Sequence, residues 1–175
     1  AIDNAWVFTG VGSGSCKPDP EKRIGILKGL ENAGFEYNKE IIDKYKKAIP
    51  TNDDYMSMNK NGYIIQPATS YYSDELINNA KEFSDVALVV FSRQGGEGQD
   101  VPTVQYKAKD KASITNPICD NSRTYLEVTT EEEELLDLVT TNFDKVIVII
   151  NGANQMKLDF LDKYENIDAC LSIAG

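Results

Sequence analysis

The 175-residue sequence contains no histidine. That absence excludes every catalytic triad with an imidazole base and most zinc sites, so any catalysis must use carboxylates, tyrosine, lysine or cysteine. Cysteine is scarce too: Cys16, Cys119 and Cys170 are far apart and form no Cys-x-x-Cys pair, which argues against a metal knuckle or a thioredoxin-type redox site. We expect a buried structural thiol at Cys170, an exposed loop position for Cys119, and neither a metal ion nor a cofactor.

Long apolar runs and an excess of positive charge are missing as well. No run approaches the roughly 20 apolar residues that a membrane-spanning helix needs. The 18 basic residues are outnumbered by 28 acidic ones, which gives a net charge of −10. A surface of that sign repels nucleic acid and anionic membranes. We therefore expect neither as a partner, whereas neutral ligands such as sugars remain compatible.

Helical and strand patterns alternate along the chain, which is typical of a parallel sheet covered by helices on both faces. The pattern predicts one domain over residues 1–175, a three-layer α/β/α sandwich of the flavodoxin-like or Rossmann-like kind. Short runs rich in branched apolar residues predict strands at 86–91, 146–150 and 167–173. Helical spacing of apolar residues predicts helices at 20–33, at 38–49 and from Ser73 onward.

Cap residues predict where some of these helices begin and end. Asp19 and Pro20 suit the start of the first helix, and Gly34 suits its end. Thr130 with Glu133 fits a capping box at the start of a later helix. The four consecutive glutamates at 131–134 suit the positive end of the helix dipole and are expected to form a solvated first turn.

Two stretches show neither pattern clearly. Residues 50–72 include at most a short extended piece at 63–66. Residues 98–124 are predicted to form a long polar connection, in which Lys107, Lys109 and Lys111 are solvated. Uninterrupted loops beyond about 15 residues are uncommon in compact domains and are often functional.

A glycine-rich loop follows the first predicted strand, in the sequence LVVFSRQGGEGQD at 88–100. Ligands of open α/β sheets collect at such strand ends, and glycines allow tight turns around an unobstructed side chain. That side chain is Glu97, whose negative charge would repel a phosphate. The loop is therefore suited to presenting an acid, although on these residues alone a flexible surface loop with an incidental glutamate is the favoured interpretation. The other glycine cluster, TGVGSGS at 9–15, lacks the spacing of a dinucleotide fingerprint and fits a tight turn or a loop that lines a cleft.

Several segments, in this order, resemble the second domain of family 3 glycoside hydrolases. They are TGVGSGS, ILKGLENAGFEYN, SDVALVVFSRQGGEGQD, YLEVTTEEEELLDLVTTNFDKVIVIINGANQMKLDFL and IDACLSIAG. The likeness covers nearly the whole chain. It is strongest at 92–100, where the family's Ser-Arg-x-x-Gly-Glu-Gly-x-Asp pattern is matched residue by residue. The chain departs from the family at Val101, where arginine is frequent.

This resemblance implies a β-glucosidase-like enzyme that hydrolyses O-glycosidic bonds with retention. In relatives with the pattern the glutamate is the general acid/base, a role that passes to Glu97. Arg93 and Asp100 are implied to bind the substrate or to position the loop, and either is open to a purely structural pairing. The family's nucleophile is an aspartate on a separate TIM-barrel domain. The resemblance therefore implies a fragment of a larger enzyme, with a carbohydrate substrate and the barrel domain of the same polypeptide as partners.

Two other kinds of protein remain open. A flavodoxin-like module that binds a nucleotide or flavin would copurify with its cofactor and would carry hydroxyl residues in place of Glu97. A non-catalytic interaction domain would belong to a parent chain that lacks the barrel aspartate.

Overall fold

Helices and strands alternate along the chain in the computed structural model, which describes residues 20–22, 24–48, 63–93, 100–152 and 154–173. The α-helices are α1 (Ile26–Asn32), α2 (Lys39–Ala48), α3 (Asp74–Phe83) and α4 (Thr130–Asn142). The strands are β1 (Ile64–Ile65), β2 (Val86–Arg93), β3 (Gln105–Ala108), β4 (Ile118–Asp120), β5 (Lys145–Gly152) and β6 (Ile167–Ile173). Short 3-10 helices occupy Pro20–Lys22, Thr69–Tyr71, Lys111–Ser113 and Asp159–Lys163. Over these ranges no helix has the length and apolar character needed to cross a membrane.

The main sheet is parallel and contains the three strands that the sequence predicts. Strand β5 lies between β2 and β6. Its register with β2 is unbroken from Val86 opposite Lys145 to Arg93 opposite Gly152. The pairing with β6 is also parallel and shifts once, near Val146 and Ile147. The predicted α/β fold with a mostly parallel sheet is confirmed.

One face of this sheet packs against α3 and α4. Phe91 of β2 and Val146 and Val148 of β5 lie in one apolar cluster with Leu136 of α4 and Leu76 of α3. All five are buried, because alternate residues of a strand point to one face while helical residues three or four apart share a stripe. Burial of each such side chain contributes about 1.5–3 kcal/mol. This packing holds α3 and α4 against one face of the sheet.

The predicted helix ends are partly confirmed. Gly34 has a φ of +83°, and the helix it ends is closed by two hydrogen bonds, from the N–H of Phe35 to the carbonyl of Leu30 and from the N–H of Gly34 to the carbonyl of Glu31. Ser73 accepts a hydrogen bond from the N–H of Leu76 at the start of α3.

The predicted start of the first helix is wrong. Pro20 belongs to a separate 3-10 turn, and α1 begins only at Ile26. Gly25, directly before it, is extended with φ −76° and ψ 177°, so the helix cannot continue back through it. Asp19 lies outside the described residues.

A second, smaller sheet replaces much of the predicted polar connection. Strand β1 confirms the expected extended piece at 63–66 and pairs parallel with β3, which pairs antiparallel with β4. The prediction of an uninterrupted loop over 98–124 is therefore wrong. The sequence pattern did not indicate strand β3 because its buried side chains include Gln105 and Lys107. Both are polar and find their partners in other segments.

Candidate active site

The candidate site lies where β2 ends beside β5, at the carboxyl edge of the main sheet. Arg93 is the last residue of β2 and Gly152 is opposite it on β5. Ligands of α/β sheets bind at this edge. Glu97, the predicted acid/base, lies outside the described residues, whereas Asp100 is described and exposed. The structure therefore defines the protein on both sides of the segment that carries Glu97.

Arg93 is almost completely buried, with 3% of its surface exposed. It donates two hydrogen bonds to Glu132, from Nη1 to Oε1 at 2.8 Å and from Nη2 to Oε2 at 2.6 Å. Three more go to backbone carbonyls, from Nε to Tyr125 at 2.9 Å, from Nη1 to Ser92 at 3.0 Å and from Nη2 to Glu127 at 2.7 Å. These five bonds equal the number of N–H groups on a guanidinium. Arg93 thus forms a structural pair in this protein, and its contact with a substrate stays a prediction.

Glu132 is the partner that sequence reasoning did not single out. It is also 3% exposed and occupies the first turn of α4. Its backbone N–H donates to the hydroxyl of Thr129 at 3.0 Å, and its Oε2 accepts from the N–H of Thr129 at 2.8 Å. One carboxylate therefore caps α4 and also holds the end of β2.

The capping box is one residue earlier than predicted. Thr129, rather than Thr130, has the extended backbone of an N-cap residue, and Glu132, rather than Glu133, closes the box. Two adjacent threonines followed by four glutamates satisfy the motif in either register. Packing decides between them, since Thr129 is buried and Thr130 is exposed.

The expectation of a solvated acidic turn is also wrong. Glu131 is 7% exposed and pairs with Lys107 at 3.2 Å, while Glu133 pairs with Arg123 at 2.6 Å and with Lys163. Successive helical residues point about 100° apart. The three consecutive glutamates at 131–133 therefore meet cations from four different parts of the chain, which are Arg93, Lys107, Arg123 and Lys163.

Lys107 is buried on β3 and is not the solvated loop residue that was expected. Its ammonium lies 3.1 Å from a carboxylate oxygen of Asp120 and 3.2 Å from one of Glu131. Burial alone would lower the pKa of Lys107, but the hydrogen bonds that its ammonium donates to these two carboxylates outweigh burial and raise the pKa. Lys109 is more exposed and lies 3.9 Å from Glu131, and Lys111 is exposed as expected.

The turn that joins β4 to α4 is held from two sides. Gln105, with no exposed surface, donates from Nε2 to the carbonyls of Thr124 at 2.9 Å and Glu127 at 3.0 Å. The carbonyl of Glu127 also accepts from Arg93. The carboxylate of Glu127 in turn accepts from the N–H and the hydroxyl of Thr124, which lowers its pKa. The Glu127 carbonyl that accepts from Arg93 is thus itself held in place.

The ends of β2 and β5 approach each other closely. A Cβ added at Gly152 would lie 2.5 Å from the carbonyl oxygen of Arg93, a distance that carbon atoms do not tolerate. Asn151, the preceding residue, is buried and lies opposite Ser92. Glycine at 152 therefore permits the close packing of the two strand ends.

The cysteines and the early glycine cluster lie away from these contacts or outside the described ranges. Cys119 is exposed, as predicted, but lies on β4. Cys170 is half-buried on β6, and that burial raises the pKa of its thiol. Cys16 and the TGVGSGS segment fall outside the described residues. Among the residues that are described, no three His, Cys, Asp or Glu side chains are grouped closely enough to hold a metal ion.

Comparison with known proteins identifies similar chains. No protein-family model matches. The chain is 26% identical over 156 residues to a β-glucosidase of Ruminococcus albus, which covers 89% of this chain and 14% of that protein. It is 26% identical over 141 residues to β-glucosidase A of Butyrivibrio fibrisolvens, covering 77% of this chain and 15% of that protein. The chain resembles part of a β-glucosidase.

A solved structure agrees with this β-glucosidase resemblance at the level of the fold. The β-glucosidase of Paenibacillus barengoltzii superposes with a TM-score of 0.57 at 24% identity, over 89% of this chain and 15% of that one. The chain thus spans about one seventh of the length of the β-glucosidases that it matches. The resemblance to a β-glucosidase that the sequence predicts is confirmed, and it extends over only a part of each of these larger enzymes.

Proposed function

We propose that this chain is the part of a retaining β-glycosidase, of glycoside hydrolase family 3 and β-glucosidase-like, that carries the general acid/base Glu97. The observation that carries the proposal is the place of Glu97 in the sequence. It follows four residues after Arg93, whose side chain is held by five hydrogen bonds at the carboxyl edge of the sheet. The similarity to β-glucosidases over most of the chain supports the reaction type.

Retaining cleavage needs two carboxylic acids about 5–5.5 Å apart. Glu97 protonates the leaving oxygen in the first step and deprotonates the incoming water in the second. The nucleophile is an aspartate on a TIM-barrel domain of the same polypeptide, which packs over the segment that carries Glu97. Exclusion of water by that domain favours the neutral form of a carboxylic acid, which is the form that donates a proton.

The described residues serve this chemistry by holding the ends of the segment. Arg93 fixes the residue from which the segment leaves β2. Asp100 is exposed where the chain returns to the described part of the structure. Its carboxylate is free to turn toward a sugar hydroxyl, and we propose that it does so.

The test uses the full-length enzyme that contains this chain. Glu97→Ala should lower kcat/KM for a β-linked disaccharide by roughly 100-fold or more, because an unactivated leaving group needs the proton. The same variant should form the glycosyl-enzyme from a dinitrophenyl β-glucoside nearly normally and then hydrolyse it slowly. Azide, which needs no general base, should restore turnover and yield a glycosyl azide.

The matched control is Glu82→Gln. Glu82 is exposed on α3, close to the opposite end of β2, so this variant should retain wild-type activity. Unchanged disaccharide turnover in Glu97→Ala would show that Glu97 is not the acid/base, and the absence of a glycosyl azide would exclude its role as a base.

A further inference from the structure

The buried pair between Arg93 and Glu132 connects two segments that are 39 residues apart in sequence. We propose that this pair is a positioning device for the reaction proposed above: it sets the direction in which the chain leaves β2 and so the position of Glu97. Glu132 is then a positioning residue, which acts through Arg93 and does not touch the substrate. This inference rests on the proposed function.

The two hydrogen bonds between Arg93 and Glu132 restrict the rotation of the guanidinium as well as its distance from the carboxylate. A guanidinium and a carboxylate joined by two parallel hydrogen bonds must lie nearly in one plane. Here the carboxylate is also fixed by the N–H of Thr129, which places it at the start of a helix packed on the sheet. The guanidinium is further held by the carbonyls of Tyr125 and Glu127. Arg93 therefore has a single arrangement available.

Stability alone does not account for a pair of this kind. Both side chains are withdrawn from water, with 0% and 3% of their surface exposed. Desolvation of two charges largely cancels their attraction, so well-packed apolar residues are often at least as stabilising. The ion pair holds the Arg93 side chain in one defined direction, which apolar packing does not do.

The direction of the chain at Arg93 matters because Glu97 follows only four residues later. Four residues of extended chain span at most about 14 Å, so the direction of the chain at Arg93 limits the region that the acid can reach. A proton donor must come within about 2.6–3.2 Å of the oxygen that it protonates. Misplacement of a catalytic group by about 1 Å costs up to roughly 100-fold in rate.

A neighbouring glutamate in the first turn of α4 provides a control for the role of Glu132. Glu133 lies one residue after Glu132, in the same turn, and is also ion-paired. Its partners are Arg123 and Lys163, neither of which belongs to β2. Glu133→Gln therefore removes a charge from the same turn without touching the end of β2.

The experiment compares Glu132→Gln with Glu133→Gln in the full-length enzyme. Glutamine retains the capping box, which accepts either residue at this position, but lacks the charge that pairs with Arg93. In Glu132→Gln we expect kcat/KM for the disaccharide to fall by about 10- to 100-fold. With the dinitrophenyl β-glucoside, whose departure needs no acid, kcat/KM should stay near wild type. Glu133→Gln should leave both substrates near wild type.

A second variant separates positioning from folding. Glu132→Gln leaves Arg93 buried without its counter-ion, which can impair folding. Arg93→Met combined with Glu132→Gln removes both charges and keeps the cap. If positioning is the role of the pair, this double variant folds, as judged by circular dichroism, and still shows the selective loss with the disaccharide.

Different results would overturn the role of the Arg93–Glu132 pair and the proposed role of Glu97. In a Glu97→Ala background, Glu132→Gln should cause little further loss, because the pair acts through a group already removed. A multiplicative loss, or an equal loss with both substrates, would overturn the inference and leave the role of Glu97 intact. If Glu97→Ala has no effect on the disaccharide, the proposed function fails, and the role of the pair toward Glu97 fails with it.

Discussion

The carbonyl oxygen of Arg93 lies 2.5 Å from the position that a Cβ of residue 152 would take, so the ends of β2 and β5 are in contact through backbone atoms at Gly152. No side chain separates the two strands at the edge from which the segment with Glu97 departs. Position 152 therefore requires glycine, although glycine has no side chain that could make a contact of its own.

Gly152→Ala should therefore destabilise the protein and displace the end of β2. Overpacking of this kind typically costs about 1–3 kcal/mol, which chemical denaturation of the purified protein would measure. The control is Gly29→Ala, where the nearest atom to an added Cβ is 3.9 Å away in an α-helix. That change should be neutral or slightly stabilising, by up to about 1 kcal/mol. Equal stability of the two variants would contradict the observed contact.

Thr129→Ala should be more harmful than Thr130→Ala. The hydroxyl of Thr129 caps α4, whereas Thr130 is exposed in the first turn. Loss of an N-cap threonine costs about 0.5–2 kcal/mol, and the exposed change should cost much less. Thermal unfolding of both variants is the measurement. The reverse order would favour the capping box at Thr130 and Glu133 that the sequence pattern indicates.

The stability of the protein should fall in acid partly through Asp120. The side-chain and backbone hydrogen bonds from Ser122, and then the one from Lys107, lower the pKa of Asp120 from 3.8 to about 2. A carboxylate whose pKa is lowered by folding stabilises the folded state above its unfolded pKa. That contribution is lost as the pH falls from about 4 toward 2.

The measurement for Asp120 is chemical denaturation of the wild type and Asp120→Asn at several pH values. The gap in unfolding free energy should be largest near neutrality and should shrink as the pH falls toward 2. Asp168→Asn, an exposed change on β6, serves as the comparison. A gap for Asp120→Asn that does not vary with pH would exclude its carboxylate as a source of the acid sensitivity.

The 175-residue protein by itself should not hydrolyse a nitrophenyl β-glucoside. In the proposed mechanism the nucleophile belongs to another domain, and a proton donor alone does not form the glycosyl-enzyme. Release of nitrophenol by purified protein, compared with a Glu97→Ala preparation made in parallel, is the measurement. Turnover that is abolished by Glu97→Ala would place both catalytic groups within this chain.

The three strands of the main sheet and most helices could be predicted because their signals are local. The runs at 86–91, 146–150 and 167–173 are too short and too branched to be helices, and all three are strands. Ser73 caps the start of α3 and Gly34 closes the end of α1, each through contacts that reach only a few residues along the chain. The resemblance of 92–100 to a glycosidase pattern was likewise visible without a structure, since it depends on the order of residues alone.

The polar interior was decided only by the tertiary structure. Glu131, Glu132 and Lys107 are buried, although glutamate and lysine in a polar stretch normally indicate solvent. Their burial becomes possible because each meets an opposite charge from a distant segment, as Glu132 meets Arg93. No local pattern records such a pairing, since it depends on which segments the sheet brings together. The choice of Thr129 over Thr130 has the same cause: both fit the motif, and only packing against the sheet selects the one that is buried.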